Sequence, residues 1–412
     1  MFLCLILFLC SCKVESPKES PEEKLKKLKS LPYLTWVNSG DTAGKSGVTY
    51  HNPEKACRGV NIYTSRNLVE ARLMDMDGDF FHRWTAGPDH PSAWQHVELT
   101  RELDLLVVIK DEKLICLDWN SRMKWAIPMR FHHDLCQAED GEILALVRED
   151  ACFFVNRLPL PVLNSSIVFL SADGILKNKI SLFPFFKSHI SGRRIFDIYD
   201  WAALKKNQTE MQNRKKKDGY MFTNLDPVDI LHINTVEIIP RDIPGVCRRG
   251  NVLICALRLD FVAILDVEAG LIMWEWGPGV LSQPHHPTML ENGNLLIFDN
   301  GVSRKHSRIL EVDPENKQIV WEYRSNPPEK FFSVSRGASQ RLPNGNTLIT
   351  ESDRGHVFEI TMDGEVVWEF FNPEKQNEGK TRAAIYRMNR ITDDNTIKRI
   401  LARSVSRQSI KR

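Results

Sequence analysis

The stretch EVDPENKQIVWEYR, residues 311–324, contains the pattern that decides the fold. An apolar strand leads into an acidic turn, and the second apolar strand that follows carries a tryptophan. Two short apolar runs separated by such a turn are typical of a β-hairpin. The pattern recurs in LDVEAGLIMWEWG (265–277) and EITMDGEVVWEFFNP (359–373), so that Trp274, Trp321 and Trp368 follow one another at intervals of 47 residues.

A second element, made of a strand, a glycine-centred turn and another strand, precedes each hairpin. Examples are HHPTMLENGNLLIFDNG (285–301) and ASQRLPNGNTLITES (338–352). Four strands in roughly 40 to 50 residues are typical of one blade of a β-propeller. A sandwich would not repeat the same landmarks, and the runs are too short and too β-branched for a helical solenoid. The spacing predicts six blades, at 58–90, 94–127, 132–180, 229–276, 285–323 and 338–372.

The predicted organisation is therefore an all-β chain with a six-bladed β-propeller over residues 36–375. A helical insertion at about 181–228, with a helix from about Asp197 to Asn213, separates blades three and four. Residues 13–35 are charged and contain proline and serine, which favours a solvated tether. Residues 376–412 are interpreted as a C-terminal extension that ends in a basic tail.

The first twelve residues, MFLCLILFLCSC, form an apolar run that is too short to span a bilayer. The run predicts a signal peptide, and its end is similar to a bacterial lipobox with Cys12 as the lipidated residue. An ordinary cleaved signal peptide is the alternative. We expect a protein of the bacterial periplasm or cell surface that is attached to the membrane by a lipid anchor.

Composition excludes several classes of protein. The net charge of the 412-residue chain is +2, so nucleic acid is not an expected partner. No C-x-x-C pair, P-loop or Rossmann fingerprint is present in the sequence. No cofactor and no metal site is predicted.

Histidines recur just ahead of the first strand of successive blades. His132, His133, His232, His285 and His286 lie at this position, and His96 of blade two has a similar place. Because the innermost strands of a propeller line its central channel, these side chains are expected to converge at one mouth. Imidazoles act as nucleophiles and proton carriers, and an arginine from the 301–308 loop can bind an oxyanion. A zinc or copper site is the chemical alternative, but only Asp134 offers a neighbouring carboxylate to orient a ligand.

Four motifs, together with the tryptophan hairpins, resemble the arylsulfotransferase family of bacterial periplasmic six-bladed propellers. They are HHDL (132–135), DILHINTV (229–236), QPHHPTML (283–290) and SRGASQRLPNGNTLI (335–349). The resemblance implies transfer of a sulfuryl group from a small aromatic sulfate donor to a phenolic acceptor through a sulfated histidine. It also implies that no nucleotide donor is used.

The resemblance carries three residues over directly, since His232, His286 and Arg304 match the channel residues of the family. Arg304 would neutralise sulfate oxygens, while His232 and His286 would bind the transferring group or move the phenolic proton. His133, next to Asp134, is the fourth expected catalytic residue. The expected substrate-binding residues are His132, His285, Asn234 and Arg336.

One departure from the family concerns blade six, where a further histidine is expected as the nucleophile. Alignment of the Asn-Gly-Asn turns places Ala338 where blade five has His286. The chain therefore resembles a divergent member, in which another imidazole takes this role or the chemistry is lost. The alternative function is an anchored, non-catalytic propeller that binds an anionic ligand or an envelope protein. A quinone-dependent dehydrogenase propeller fits less well, since no calcium-carboxylate motif is found.

Replacing Cys12 by serine tests the anchor. The Cys12→Ser protein is expected to move from the membrane pellet to the soluble fraction, because the acyl chains that hold it in the bilayer are lost. Ultracentrifugation followed by immunoblotting measures the distribution. Cys10→Ser is the matched control and is expected to stay with the membrane; retention of Cys12→Ser there would contradict a lipid anchor at this position.

Overall fold

The strands of the chain form six antiparallel blade sheets of four or five strands in the computed structural model. The described residues are 44–66, 68–86, 92–155, 158–190, 227–376 and 381–410, and they belong to one unit, Val37–Arg412. The innermost strands of the six sheets contact one another in a closed ring. This confirms the prediction of a six-bladed β-propeller.

Blades two to five each come from a single stretch of chain, with the first strand innermost. Blade two contains β5 (Trp94–Leu99), β6 (Leu105–Ile109), β7 (Lys113–Leu117) and β8 (Met123–Ile127). Blade three contains β9 (Phe131–Gln137), β10 (Ile143–Val155), β11 (Leu158–Leu170) and β12 (Leu176–Ser181). Blade four contains β13 (Ile233–Ile238), β14 (Val252–Ala256), β15 (Phe261–Asp266) and β16 (Leu271–Trp276). Blade five contains β17 (His285–Met289), β18 (Leu295–Asp299), β19 (Arg308–Asp313) and β20 (Gln318–Tyr323).

Blades one and six are built from both ends of the described chain. Blade one has the order β27 (Ile385–Ile391), β2 (Val60–Ser65), β3 (Glu70–Met74) and β4 (Phe80–Thr85). Blade six has the order β21 (Ala338–Arg341), β22 (Thr347–Glu351), β23 (His356–Ile360) and β24 (Val366–Phe371), with β1 (Gly47–His51) added at its outer edge. A segment from before blade one thus completes blade six, and a segment from after blade six completes blade one.

The propeller extends beyond residue 375, which is the end predicted from the sequence. The strand Ile385–Ile391 is the innermost strand of blade one and pairs antiparallel with β2. It was missed because strand pairing between residues more than 300 positions apart leaves no local signal. The signal run, the tether and the predicted helix from Asp197 to Asn213 lie outside the described residues.

Few helices accompany the blades in the described part of the chain. Helix α1 (Phe183–Phe186) follows blade three, and helix α2 (Asp394–Ile410) follows β27. Ile400 of α2 is fully buried in the cluster that contains Trp84, Trp94 and Trp119. A two-stranded ribbon, β25 (Lys375–Gln376) with β26 (Thr381–Arg382), precedes β27. Neither helix combines the length and the apolar character that a membrane span requires.

The repeated tryptophans tie four of the six blades to the next one. The indole Nε1 of Trp125 donates to the Ala172 carbonyl over 3.2 Å, from blade two to the outer turn of blade three. Three further indoles make the corresponding bond, Trp274 to Pro314, Trp321 to Met362 and Trp368 to Met76, over 2.7 to 2.9 Å. The repeat of 47 residues is therefore explained by a contact that blades four, five and six each make with the next blade. Buried apolar surface and satisfied donors at these seams stabilise the ring.

The acidic residue has a local role in several of the hairpins. Asp75 accepts hydrogen bonds from the backbone N–H groups of Asp77 and Asp79, and Asp118 does the same for Asn120 and Arg122. Such side-chain bonds replace the strand ladder at the point where the chain reverses. The turn motifs thus fix the register of the outer hairpins.

A buried ion pair lies where the ring closes. Arg390 of β27 contacts Glu359 of β23, and both side chains are 0% exposed. Arg390 also donates to Asn61 of β2 over 2.9 Å and to the Cys57 carbonyl over 3.1 Å. One guanidinium therefore joins blade one to blade six.

Replacing Arg390 by methionine is expected to lower the free energy of unfolding by about 3 kcal/mol, because it leaves the buried Glu359 carboxylate without a compensating positive charge. Denaturant unfolding followed by circular dichroism measures the loss. The double variant Arg390→Met/Glu359→Gln is expected to recover part of it, since no buried charge remains. A double variant less stable than Arg390→Met would contradict this account.

Candidate functional site

The first residues of the inner strands carry the predicted histidines, and the backbone is distorted there. His133, His232 and His286 all have positive φ angles, of 57°, 49° and 46°. The pairing of β9, β13 and β17 with their neighbours shifts register at these points, as in a β-bulge. Left-handed backbone at a non-glycine residue is strained by about 1 kcal/mol or more, and such strain concentrates at functional sites. Three blades share this distortion at a histidine.

The imidazoles of blades three and four lie against one another. The ring centroids of His133 and His232 are 4.7 Å apart, and those of His132 and His133 are 5.2 Å apart. Burial lowers the pKa of His132 to about 3 and that of His133 well below its ordinary value, and neighbouring imidazoles add to both shifts. These two side chains are therefore neutral at neutral pH. The predicted convergence of histidines at one mouth of the channel is found for this group.

His232 has a carboxylate on one side of its ring. Its Nδ1 lies 3.2 Å from Asp229 Oδ2, and its backbone N–H donates to Asp229 Oδ1 over 2.8 Å. Burial alone would raise the pKa of Asp229, but the charge and hydrogen bond of His232 lower it below the usual range. In the neutral ring, a proton on Nδ1 faces this carboxylate, which only accepts hydrogen bonds, and Nε2 then keeps its lone pair. The side chain is 26% exposed at the mouth.

Arg148 supports the position of Asp229. Its guanidinium binds Asp111 through two nitrogens and lies 3.5 Å from Asp229 Oδ2. Asp111 and Arg148 come from blades two and three, so the Asp229–His232 pair of blade four is fixed by the neighbouring blades. A ligand or nucleophile held in this way has few alternative orientations.

His285 of blade five is fixed by an amide. Its Nδ1 lies 2.7 Å from Asn300 Oδ1, and the Asn300 amide nitrogen donates to the carbonyls of Ser333 and Arg336. The amide oxygen therefore faces the ring, so Nδ1 is the donor and Nε2 is unprotonated. Burial lowers the pKa of His285 to about 4, against the raising effect of the Asn300 hydrogen bond.

His286 lies deeper in the channel than its neighbour. Its Nδ1 is 3.1 Å from the Ser339 carbonyl of blade six, and its backbone N–H donates to Thr235 Oγ1 over 3.0 Å. Burial, Arg387 and His96 lower the pKa of His286 well below its ordinary value. The ring lines the cavity described below rather than the group around His232.

Cationic side chains surround the mouth that holds His232. Arg336 binds Asp353 over 3.1 Å. The side chain of Lys110 reaches solvent, yet partial burial and the nearby Arg148 and Arg336 lower its pKa, and it has no carboxylate partner within the described ranges. Burial and Arg336 likewise lower the pKa of Arg66. Cations that repel one another favour a bound anion between them.

Arg304 and Asn234, two of the residues expected at the site, are hydrogen-bonded to groups other than the channel histidines. Arg304 donates to Asp299 over 2.7 Å and to the Val280 carbonyl over 3.3 Å, and Arg308 binds the same carboxylate. None of these partners is a channel histidine. The side chain of Asn234 is 1% exposed and donates to the Pro284 carbonyl over 2.9 Å, which links blade four to blade five.

The orienting role suggested for Asp134 is not what the structure shows. Asp134 accepts from the Val236 N–H over 3.2 Å and lies 3.1 Å from Arg387, while His133 Nδ1 lies 3.2 Å from the Tyr386 hydroxyl. The carboxylate and the imidazole therefore face different partners. Alternation along a strand places consecutive side chains on opposite sides, which explains the separation.

Blade six differs from the other blades at the mouth. The β21–β22 pairing runs without a register shift, and Ala338 pairs with Thr350 at the position where blade five has its bulge. The missing histidine thus coincides with a regular backbone. Within the described ranges no group of three or more His, Cys, Asp or Glu side chains has the arrangement of a metal site.

Several site residues were not singled out from the sequence. Asp229 stands three residues before His232, and this spacing was the one local signal available. Lys110 follows the second strand of blade two, Arg148 lies within the second strand of blade three, and Tyr386 belongs to β27, which the sequence had placed in a C-terminal extension. Only the assembled ring brings these residues to the histidines.

The neutrality of His285 predicts how stability depends on pH. As the pH falls through about 6.5 the unfolded chain takes up a proton on this residue, whereas the folded protein does not until about 4. The unfolded state therefore binds more protons in this interval, and folding becomes less favourable. The loss of unfolding free energy between pH 7 and pH 5 is expected to be about 2 kcal/mol smaller in His285→Asn, which retains a donor for Asn300. Denaturant unfolding at each pH measures this difference. His51→Asn, at the outer edge of blade six, is the control. Equal losses of unfolding free energy in wild type and His285→Asn would contradict a neutral His285.

Comparison with known proteins supports the resemblance in the sequence. The family model described as arylsulfotransferase (ASST) matches residues 189–373, a range that includes blades four to six. No curated protein matches the chain significantly.

Solved structures resemble the chain at the level of the fold. A protein of unknown function from Bacteroides caccae is 14% identical, with a TM-score of 0.51 over 82% of this chain and 100% of that one. A streptogramin B lyase is 12% identical, with a TM-score of 0.46 over 85% of this chain and 94% of that one. Identities this low carry no functional argument. Blades four to six of this six-bladed propeller therefore lie within the range that is similar to the arylsulfotransferase (ASST) family model.

Proposed function

We propose that the protein transfers a sulfuryl group from a small aromatic sulfate to a phenolic acceptor at the channel mouth, with His232 as the nucleophile. The observation that carries the proposal is the Asp229–His232 pair, packed against His133. A carboxylate that fixes the tautomer of an imidazole, with the opposite nitrogen left open, is the arrangement expected of a nucleophilic or basic histidine. The family match supports the same class of reaction.

In the first half of the reaction, Nε2 of neutral His232 attacks the sulfur of the donor. The N–S bond forms as the S–O bond breaks, and the electron pair leaves on the phenolate oxygen. The Nδ1 proton remains shared with Asp229, whose negative charge offsets the positive charge that develops on the ring. Arg148, 3.5 Å from Asp229 Oδ2, would hold the carboxylate in place.

In the second half, the oxygen of the acceptor phenol attacks the sulfur, the N–S bond breaks, and its electron pair returns to Nε2. The phenolic proton needs an acceptor close to the reacting oxygen. His285 offers an unprotonated, buried Nε2, and the charge of His232 acts on its pKa. Neutral imidazoles suit both roles, because protonation would remove the lone pair that each step uses.

Lys110 and Arg66 would neutralise the sulfate oxygens of donor and intermediate, and Arg336, although paired with Asp353, would add a further anion contact. In this proposal they take the role that the family resemblance gave to Arg304, which is held by Asp299. A preorganised cation stabilises charge that develops in the transition state without reorganisation at that moment. The expected partners are the aromatic sulfate and the phenol, and the expected location is the periplasm or cell surface with a lipid anchor at Cys12.

A non-catalytic propeller that binds an anionic ligand is the second candidate. The observation that favours it is the absence of a histidine and of a bulge at Ala338 in blade six. The same cations would then hold the anion, and His232 would donate or accept a hydrogen bond without forming a covalent intermediate.

Acceptor-dependent release of 4-nitrophenol from 4-nitrophenyl sulfate, with phenol as the acceptor, tests the proposal. His232→Gln is expected to lose at least about a thousandfold in kcat, because the attacking atom is removed. Mass spectrometry of the donor-treated protein is expected to find the sulfuryl group on the peptide that contains His232. His51→Gln, a histidine at the outer edge of blade six, is the matched control and should turn over as the wild type does.

The outcomes separate the candidates. Full activity in His232→Gln, or a sulfuryl group on the peptide of His286, would remove His232 from the role of nucleophile. A folded wild-type protein that binds the sulfate ester but neither turns it over nor gains mass would support the binding propeller.

A further inference from the structure

A second site lies in the same channel, beyond the histidine mouth. The later residues of the inner strands enclose a cavity of about 810 Å³. Its wall reaches from His286, Asp134 and Arg387 to the turns that follow the inner strands, near Asn292 and Gly345. The inner strands begin at the mouth that holds His232, so the cavity occupies the opposite half of the channel.

The cavity wall carries more acidic than basic side chains. Glu311 is paired with Arg341 over 2.7 Å, and Asp134 lies 3.1 Å from Arg387. The remaining carboxylates are Glu98, Glu237 and Glu291. Glu98 accepts from the side-chain amide of Gln137 over 3.3 Å, and Glu237 accepts from the Met289 N–H over 2.9 Å. Neither Glu98 nor Glu237 has a lysine or arginine at ion-pair distance in the part of the chain that the structure describes.

The raised pKa values of Glu98 and Glu237 indicate that too little positive charge lies near these two carboxyls. Burial raises the pKa of Glu98 to about 7, although Arg387 acts in the opposite direction. Burial raises the pKa of Glu237 to about 8, and the charges of Asp134 and Glu98 raise it further. Both carboxyls therefore keep their protons to a higher pH than an ordinary glutamate does, because burial disfavours the charged form.

A buried nitrogen atom that has no hydrogen-bond partner in the described residues lies close to Glu98. His96 is 1% exposed, and its Nε2 has no hydrogen-bond partner in the described residues. That atom lies 3.6 Å from Asp134 Oδ1 and 3.8 Å from Glu98 Oε2. Burial lowers the pKa of His96 to about 3, so the ring does not supply the missing charge. A buried polar atom without a partner is uncommon and suggests a group that is added on binding.

The rest of the cavity wall is largely apolar, and among its described lining residues there is no phenylalanine, tyrosine or tryptophan. Its apolar residues include Leu99, Leu135, Val236, Met289, Leu342 and Ile391. A ligand with an apolar body and one cationic end would therefore find matching surfaces at both ends. Ligand sites of this kind combine apolar walls with a few convergent polar groups.

We propose that this cavity binds an organic ammonium ion with a small apolar body, and that the ammonium group is held between Glu98 and Glu237. The ammonium hydrogens donate to the two carboxylates, and the body packs against the apolar wall. The site goes beyond the proposed transfer reaction and does not depend on it, because its test reads binding alone.

Binding in this way is coupled to protons. A carboxyl that is protonated in the empty cavity must release its proton to pair with the ammonium group, so about one proton is expected to leave at pH 7. The affinity is then expected to fall by at least about tenfold between pH 8 and pH 6, as the carboxylate form becomes scarcer. The other titratable and charged groups that face the cavity or the two glutamates are His96, Asp134, Cys136, His286, Glu291, Glu311, Arg341 and Arg387.

Isothermal titration of the full chain with three matched probes tests the site. The probes are 2-phenylethylammonium, the neutral 2-phenylethanol and the anionic 3-phenylpropionate. At pH 8 the ammonium probe is expected to bind at least about tenfold more tightly than the alcohol, because its hydrogen bonds are charge-assisted. Titration in buffers of different ionisation enthalpy measures the protons released at pH 7.

Two variants test whether Glu98 and Glu237 bind the ammonium group. Glu237→Gln is expected to weaken binding of the ammonium probe by about tenfold and to reduce proton release, because the carboxyl with the higher pKa is gone. Glu98→Gln/Glu237→Gln should bind the ammonium probe and the alcohol equally. Glu365→Gln, a surface carboxyl paired with Lys55, is the matched control and should match the wild type. Circular dichroism and thermal unfolding confirm that each variant is folded.

Three results would overturn the proposal. The first is equal affinity of folded wild type for the ammonium probe and the alcohol, or no binding of either. The second is tighter binding of 3-phenylpropionate, which would assign the cavity to anions through Arg341 and Arg387. The third is an unchanged affinity for the ammonium probe in Glu98→Gln/Glu237→Gln.

Discussion

Closure of the ring is the constraint on which the rest of the structure depends. Each blade buries its faces only against its neighbours, so the first and last blades must meet. The chain achieves this twice, with β27 added to the inside of blade one and β1 added to the outside of blade six. Hydrogen-bonded strand pairing across the seam means that neither blade can leave without breaking a sheet. The buried contact between Arg390 and Glu359 lies at this junction and makes its geometry specific.

The same closure completes the functional channel. The strand that seals blade one brings Tyr386 to His133 and Arg387 to Asp134. The C-terminal segment is therefore structural and contributes to both halves of the channel at once. A change that loosens the seam would be expected to reach the site without altering any residue that touches a substrate.

The two halves of the channel have opposite character, and burial produces both. At the mouth, desolvation keeps His132, His133 and His285 neutral among cations, which leaves lone pairs available and favours an anion. Deeper in, desolvation keeps Glu98 and Glu237 protonated, which favours a cation. In each case removing water disfavours the charged form of the side chain, and a ligand of the complementary charge would reverse that effect. The strained backbone at His133, His232 and His286 turns the inner strands so that these rings lie in the channel.

Local patterns in the sequence were enough to determine the blades. The tryptophan and aspartate landmarks could be found from sequence because they act within one hairpin or between neighbouring hairpins, as the Trp274–Pro314 and Asp118–Asn120 bonds show. The histidines at the starts of the inner strands could be found for the same reason, since the repeat carries them. Only the tertiary structure decided that His232 is paired with Asp229, that Arg304 is held by Asp299, and that residues 385–391 close the ring. Those contacts depend on the direction of each side chain and on strand pairing across the whole length of the chain, which hydrophobic periodicity does not encode.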